Sequence, residues 1–132
     1  MEGGQTNEFR PLILVAEDDD SNFKLIKAII GKKCDIQWAK NGEEIVALFK
    51  EYGNEAKAIL MDIKMPVMNG LDATKIIRGE NKEIPIIMQT AYAFTADREN
   101  AMAAGASEVL VKPITLSALR TCLSRFLPQL QW

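Results

Sequence analysis

The sequence predicts an α/β protein built on one five-stranded parallel sheet, doubly wound with helices on both faces. Two observations carry this. Short apolar runs alternate five times with longer amphipathic stretches, and four of the runs are continuously apolar. Continuous apolarity suits a strand covered on both faces, and regular strand–helix alternation implies parallel strands joined by right-handed crossovers. A length of 132 residues suits a single domain with one real core.

The strands are expected at Leu12 to Ala16, Cys34 to Ala39, Ala58 to Met61, Ile86 to Gln89 and Glu108 to Val111. Cys34, Ile36 and Trp38 alternate with polar residues, which suits a half-covered edge strand. Between the strands, helices show start and stop signals. Asp20 or Ser21 is expected to cap a helix burying Phe23, Ile26 and Ile30 and ending at Gly31. Asn41 with Glu44 resembles a capping box before Ile45, Leu48, Phe49 and Tyr52, with Gly53 as the stop. Leu71, Thr74, Ile77 and Gly79 outline a third helix. Thr95 opens a fourth, with Asp97 and Glu99 at the positive end of its dipole, and Gly105 closes it. Thr115 opens the last, with a stripe of Leu116, Leu119, Leu123 and Phe126. Residues 1–10 read as a linker or expression remnant, residues 11–128 as the domain and residues 129–132 as a short tail.

Composition narrows the function. The formal net charge is −2, so nothing here resembles the dense basic patch that holds a phosphate backbone, and nucleic acid is not the expected partner. No stretch is apolar enough to span a bilayer, and residues 1–10 lack the apolar segment of a secretory signal. Cys34 and Cys122 lie far apart without C-x-x-C spacing, which suits free thiols in a reducing cytosol. There is no histidine, which removes imidazole bases, imidazole metal ligands and a histidine phosphocarrier from this chain.

In an open parallel sheet the ligand site lies at the carboxyl ends of the strands. Glu17 and Asp18 follow the first strand, Asp62 the third, Thr90 the fourth and Lys112 the fifth. Taken singly, each has a plainer reading. A strand-end Asp is often a turn or helix cap, Asp18 to Asp20 a solvated helix start, Thr90 a satisfied hydroxyl and Lys112 a surface lysine. Their joint placement at four strand ends favours one site, since four separate explanations would otherwise have to coincide. Three converging carboxylates would repel one another without a cation, and an all-oxygen donor set points to Mg2+. An aspartate can attack phosphorus to give an aspartyl phosphate, with the metal and Lys112 neutralising the equatorial oxygens and Thr90 donating to one of them.

The stretch Leu60-Met61-Asp62-Ile63-Lys64-Met65-Pro66-Val67-Met68-Asn69-Gly70, preceded by Val15-Ala16-Glu17-Asp18 and followed by Gln89-Thr90-Ala91 and Val111-Lys112-Pro113, resembles the response-regulator receiver family. The resemblance runs from Leu12 to Phe126 in order and spacing. It implies a flavodoxin-like fold with strand order 2-1-3-4-5 and phosphorylation at Asp62. It further implies metal held by Asp18, Asp62 and the Lys64 backbone carbonyl with Glu17 assisting, and a cis Lys112–Pro113 bond. Thr90 would be the switch residue. Its usual partner, an aromatic three residues before the lysine, is Val109 here, a departure from the family pattern that removes the aromatic rotamer to which Thr90 is usually coupled. Lys64 and Tyr92 occupy positions where receivers tune water access, and the bulk of Tyr92 is expected to slow hydrolysis.

The resemblance is greatest to receivers attached to hybrid sensor histidine kinases. The implied phosphodonor is a histidine on a kinase or phosphotransfer domain, docking near Phe23, Lys24 and Lys27. A cytoplasmic domain is expected, free or as the cytosolic part of a membrane-anchored kinase, monomeric or weakly dimeric, without direct membrane contact. Because the chain stops at Trp132, no DNA-binding output domain is expected after it. An aspartate-nucleophile hydrolase would resemble D-x-D-x-T, but the second acid is replaced by Lys64. A nucleotide or flavin binder lacks G-x-G-x-x-G and P-loop glycines. A receiver-fold interaction module no longer phosphorylated is the remaining alternative.

Overall fold

The computed structural model describes residues 9–92 and 95–132. Five strands, β1 (Leu12–Ala16), β2 (Asp35–Ala39), β3 (Ala56–Asp62), β4 (Ile86–Thr90) and β5 (Glu108–Val111), alternate with five helices. These are α1 (Asp20–Ile30), α2 (Gly42–Tyr52), α3 (Gly70–Glu80), α4 (Thr95–Ala104) and α5 (Leu116–Phe126). All four ladders are parallel and the order is β2-β1-β3-β4-β5, so β1 and β3 form the middle of the sheet and chain order reverses beside them.

Side-chain alternation divides the interior in two. Ile13, Val15, Ala58, Leu60 and Ile87 pack with Ile26, Ile29 and Ile30 of α1 and Leu119, Cys122 and Leu123 of α5. Leu14, Ala16, Ile59, Met61, Ile86 and Met88 pack with Ile45 and Phe49 of α2, Ala73 and Ile77 of α3 and Ala101 of α4. This two-sided cover is why β1, β3 and β4 read as unbroken apolar runs. β2, at the edge, is only half covered along Ile36 to Trp38, as its alternation indicates. Both cysteines are free and buried.

The starts of α1, α2, α3 and α5 follow hydrogen-bonding side chains, with one correction. The cap of α1 is Asp19, not Asp20 or Ser21: its carboxylate accepts from Ser21 N at 2.7 Å and Asn22 N at 3.3 Å. Asn41 Oδ1 accepts from Glu44 N at 2.8 Å, while Glu44 reaches back to Lys40 N, one residue beyond the cap. Asn69 caps α3 through Asp72 N and Thr115 caps α5 through Ala118 N. Of the segment expected as a linker or expression remnant, residues 1–8 lie outside the described residues, and the Arg10 guanidinium donates to Asp35 Oδ1 at 2.7 Å and to Lys32 O at 2.7 Å. At the other end Leu130 is buried, and the Trp132 indole donates to Ser124 Oγ at 2.9 Å.

The loop from β3 to α3 is held by two glycines. Gly70 N donates to Ile63 O at 2.8 Å and Gly42 N donates to Met68 O at 2.8 Å. A Cβ on Gly70 would run into the carbonyl of Asp62, and one on Gly42 into that of Met68. Between them Val67 adopts a left-handed φ of 69° while 74% exposed, an uncommon backbone for a β-branched residue. Gly70→Ala is therefore expected to cost about 1–3 kcal/mol by overpacking against the backbone of Asp62. Gly79→Ala, with open space around an exposed helical site, is expected to stabilise by about 0.5–1 kcal/mol. Urea midpoints of the two variants check both signs.

Candidate functional site

Because all five strands run the same way, their carboxyl ends share one rim, and the polar residues there converge. Glu17, Asp18, Asp62, Lys64, Thr90 and Lys112 line one cleft of about 230 Å³. One carboxylate oxygen from each of Glu17, Asp18 and Asp62 lies within 4.8 Å of the others. Lys112, carried just past β5, donates to Asp62 Oδ2 at 2.8 Å and to Glu17 Oε1 at 3.4 Å. The bond from Lys112 to Pro113 is cis.

The electrostatics follow from burial. Glu17 has no exposed surface, and burial first, then the Asp62 charge, push its carboxyl up to about 7. Burial works against the Lys112 ammonium as well, but hydrogen bonding and charge from Asp62, then Glu17, outweigh it and hold the pKa above its ordinary value. Asp18 is exposed, so the three acids span a gradient from interior to solvent. All three offer hard oxygen donors, and Lys64, whose main-chain carbonyl is the remaining expected donor, lines the same cleft. The residues present therefore fit a small divalent cation.

Thr90 lies 5% exposed in the same cleft, but its hydroxyl is engaged elsewhere. It donates to Asp97 Oδ2 of α4 at 3.1 Å and accepts from Tyr92 N at 3.1 Å. At the mouth, the Lys64 ammonium sits 4.7 Å from the centroid of the exposed Tyr92 ring. Val109 is 7% exposed within the α2–α4 core. Its neighbour Glu108 ties α4 to α5 through Arg98 at 3.1 Å and Arg125 at 2.7 Å.

Three residues escape the sequence reading. Gln89 is the register partner of Asp62, is 1% exposed, and neither amide atom has a hydrogen-bond partner among the described residues. The signal for it was a polar residue breaking the run Ile-Ile-Met-Gln. Asp97 reads only as a helix-dipole acid, because nothing local shows that α4 brings it to Thr90. Trp38 reads only as an edge-strand residue, yet its indole donates to the backbone carbonyl of Glu17 at 2.8 Å.

Comparison with known proteins agrees with this geometry. The response regulator receiver domain model matches residues 13–124. Over 110 residues, 77% of the chain, it is 41% identical to hybrid signal transduction histidine kinase I of Dictyostelium discoideum. It is 41% identical over 123 residues, 88% of the chain, to kinase G of the same organism. The matched segments are only 6% and 4% of those long proteins. Among solved structures, the receiver domain of the Pseudomonas aeruginosa sensor histidine kinase PA1611, with magnesium ion coordinated in its active-site cleft, superposes with a TM-score of 0.83 at 32% identity, covering 90% of this chain and 98% of that one. The Saccharomyces cerevisiae Ssk1 receiver, solved with the histidine phosphotransfer protein Ypd1, gives a TM-score of 0.83 at 28% identity, covering 92% of this chain and 91% of that one. The chain belongs to the response regulator receiver domain family of two-component signalling, and is like the receiver of a hybrid kinase. No helix among the described residues is long and apolar enough to cross a membrane.

A pH prediction follows for the metal-free protein. Between the ordinary carboxyl value of 4.5 and about 7, the folded chain holds a proton on Glu17 that the unfolded chain has released. The folded state binds more protons there, so the Glu17 contribution to stability falls as pH rises through this window. In chelator, melting curves at pH 5 and pH 7 are expected to differ more for wild type than for Glu17→Gln, with wild type less stable at the higher pH; a reversed difference contradicts this.

Proposed function

We propose that this receiver takes a phosphoryl group from a partner's phosphohistidine onto Asp62, and relays the change through its surface. The observation that carries the reading is Lys112 bridging Asp62 and the fully buried Glu17, with the Asp18 carboxylate beside them. Lys112 donates to Asp62 Oδ2 at 2.8 Å, which would hold the carboxylate in position to attack phosphorus. A P–O bond forms to Asp62 as the P–N bond to the donor imidazole breaks, and the electron pair leaves with the ring nitrogen. Glu17, Asp18, Asp62 and the Lys64 carbonyl would hold Mg2+, which supplies charge neutralisation at the phosphoryl oxygens.

Lys112 would meet a phosphoryl oxygen once Asp62 is modified, a role supported by its ammonium spanning the two buried acids. Thr90 would serve as the switch by exchanging its bond to Asp97 for one to the phosphoryl group, loosening the start of α4. With Val109 in place of an aromatic, the signal would pass by movement of α4 and by the Arg98–Glu108–Arg125 ties rather than by a swinging ring. The Lys64–Tyr92 pair at the mouth would restrict water and prolong the phosphorylated state. The donor would dock on α1, where Lys24 and Lys27 line an exposed hollow beside Ala28 and Gly31. Hybrid kinase relatives and a neighbour solved with a phosphotransfer protein support this kind of partner.

The test is incubation with acetyl phosphate and Mg2+, read by intact mass. Wild type is expected to gain one phosphoryl group and Asp62→Asn none; modification of Asp62→Asn to the same extent refutes the site. Within the same assay, Tyr92→Ala is expected to lose its phosphoryl group severalfold faster. Reversing Lys24 and Lys27 to Glu is expected to slow transfer from a phosphotransfer protein by about tenfold without slowing the acetyl phosphate reaction.

A further inference from the structure

We propose that Trp38 is a positioning residue for the cation site, fixing the peptide that joins Glu17 to Asp18. This rests on the metal-assisted phosphoryl transfer proposed above and assigns a residue to it that lies outside the cleft. Glu17 is tied to β2 through both backbone groups: its N–H donates to Ala39 O at 2.9 Å and its carbonyl accepts the Trp38 indole N–H at 2.8 Å. The carbonyl held by Trp38 belongs to the Glu17–Asp18 peptide. Its orientation sets the direction in which the exposed Asp18 leaves the backbone, toward or away from Glu17 and Asp62.

The indole is itself fixed from two sides. Its ring stacks on Phe23 of α1 with centroids 3.9 Å apart and planes within 1°. The Lys40 ammonium lies 4.8 Å from the ring and pairs with Asp20 at 3.4 Å. Both Phe23 and Asp20 lie in the first turns of α1, and Asp19 caps that helix while its N–H donates to Glu17 Oε2 at 3.1 Å. Trp38 thus joins the edge strand, the start of α1 and the acidic loop in one packed unit. A flexible loop would have to be ordered each time a cation bound, whereas one already held loses less entropy on binding.

The N–H and the ring face make separable contributions. Trp38→Phe keeps an aromatic face for Phe23 but removes the donor to Glu17 O. Phe23→Leu removes the stack but keeps the donor. In isothermal titration with MgCl2 we expect the dissociation constant of Trp38→Phe to rise about three- to tenfold, the size of one lost hydrogen bond. Phe23→Leu, which keeps the donor, is expected to melt at a lower temperature and to lose clearly less Mg2+ affinity than Trp38→Phe. Wild-type affinity in Trp38→Phe overturns the inference, as does an equal loss in Phe23→Leu. Absence of Mg2+ binding by the wild type overturns the metal reading itself, and this inference with it.

Discussion

The ammonium of Lys112, lodged between Asp62 and the buried Glu17, is the contact on which the rest of the site depends. Without a cation there, Glu17 would face Asp62 as a second buried acid with no compensating charge, and an uncompensated buried charge is strongly disfavoured. A single lysine does not balance three carboxylates, and the Glu17 carboxyl is pushed up by burial first and by the Asp62 charge second. The arrangement leaves room for one more positive centre.

The fold exists to bring these groups together. Asp18, Asp62, Thr90 and Lys112 are spread along almost the whole chain, and no local element could collect them. A parallel sheet with crossovers places every strand's carboxyl end on one rim, so each strand can deliver one polar residue to it. The two apolar layers bury β1, β3 and β4 on both faces, which leaves the rim as the place where charged side chains can project. The glycines at 42 and 70 let the loop after Asp62 fold tightly back onto the backbone.

Much of this was legible from the residues. The strands came within two residues of their observed ends because burial on both faces leaves an unmistakable pattern. The convergence of acids and lysine followed from direction alone. What stayed hidden depended on tertiary placement. Three consecutive aspartates gave no local reason to choose Asp19 over Asp20 as the α1 cap. Thr90 lines the cleft as its strand-end position indicates, but the bond from its hydroxyl to Asp97 depends on the seating of α4, which no local pattern shows. Trp38 presents an ordinary edge-strand alternation, and only the fold shows its indole reaching the acidic loop. Gln89 carried a visible anomaly in composition, but its adjacency to Asp62 is a matter of register.

Three carboxylates and one lysine leave the rim one positive centre short, which under the proposed function a divalent cation completes. The most direct measurement is the thermal unfolding midpoint with and without millimolar Mg2+, for wild type and Asp62→Asn. A cation bound only by the folded state raises wild-type stability by mass action, which corresponds to several degrees when the ion is well above its dissociation constant. The Asp62→Asn protein is expected to start at equal or higher metal-free stability and to gain little. Coincident wild-type curves with and without Mg2+ would contradict the account.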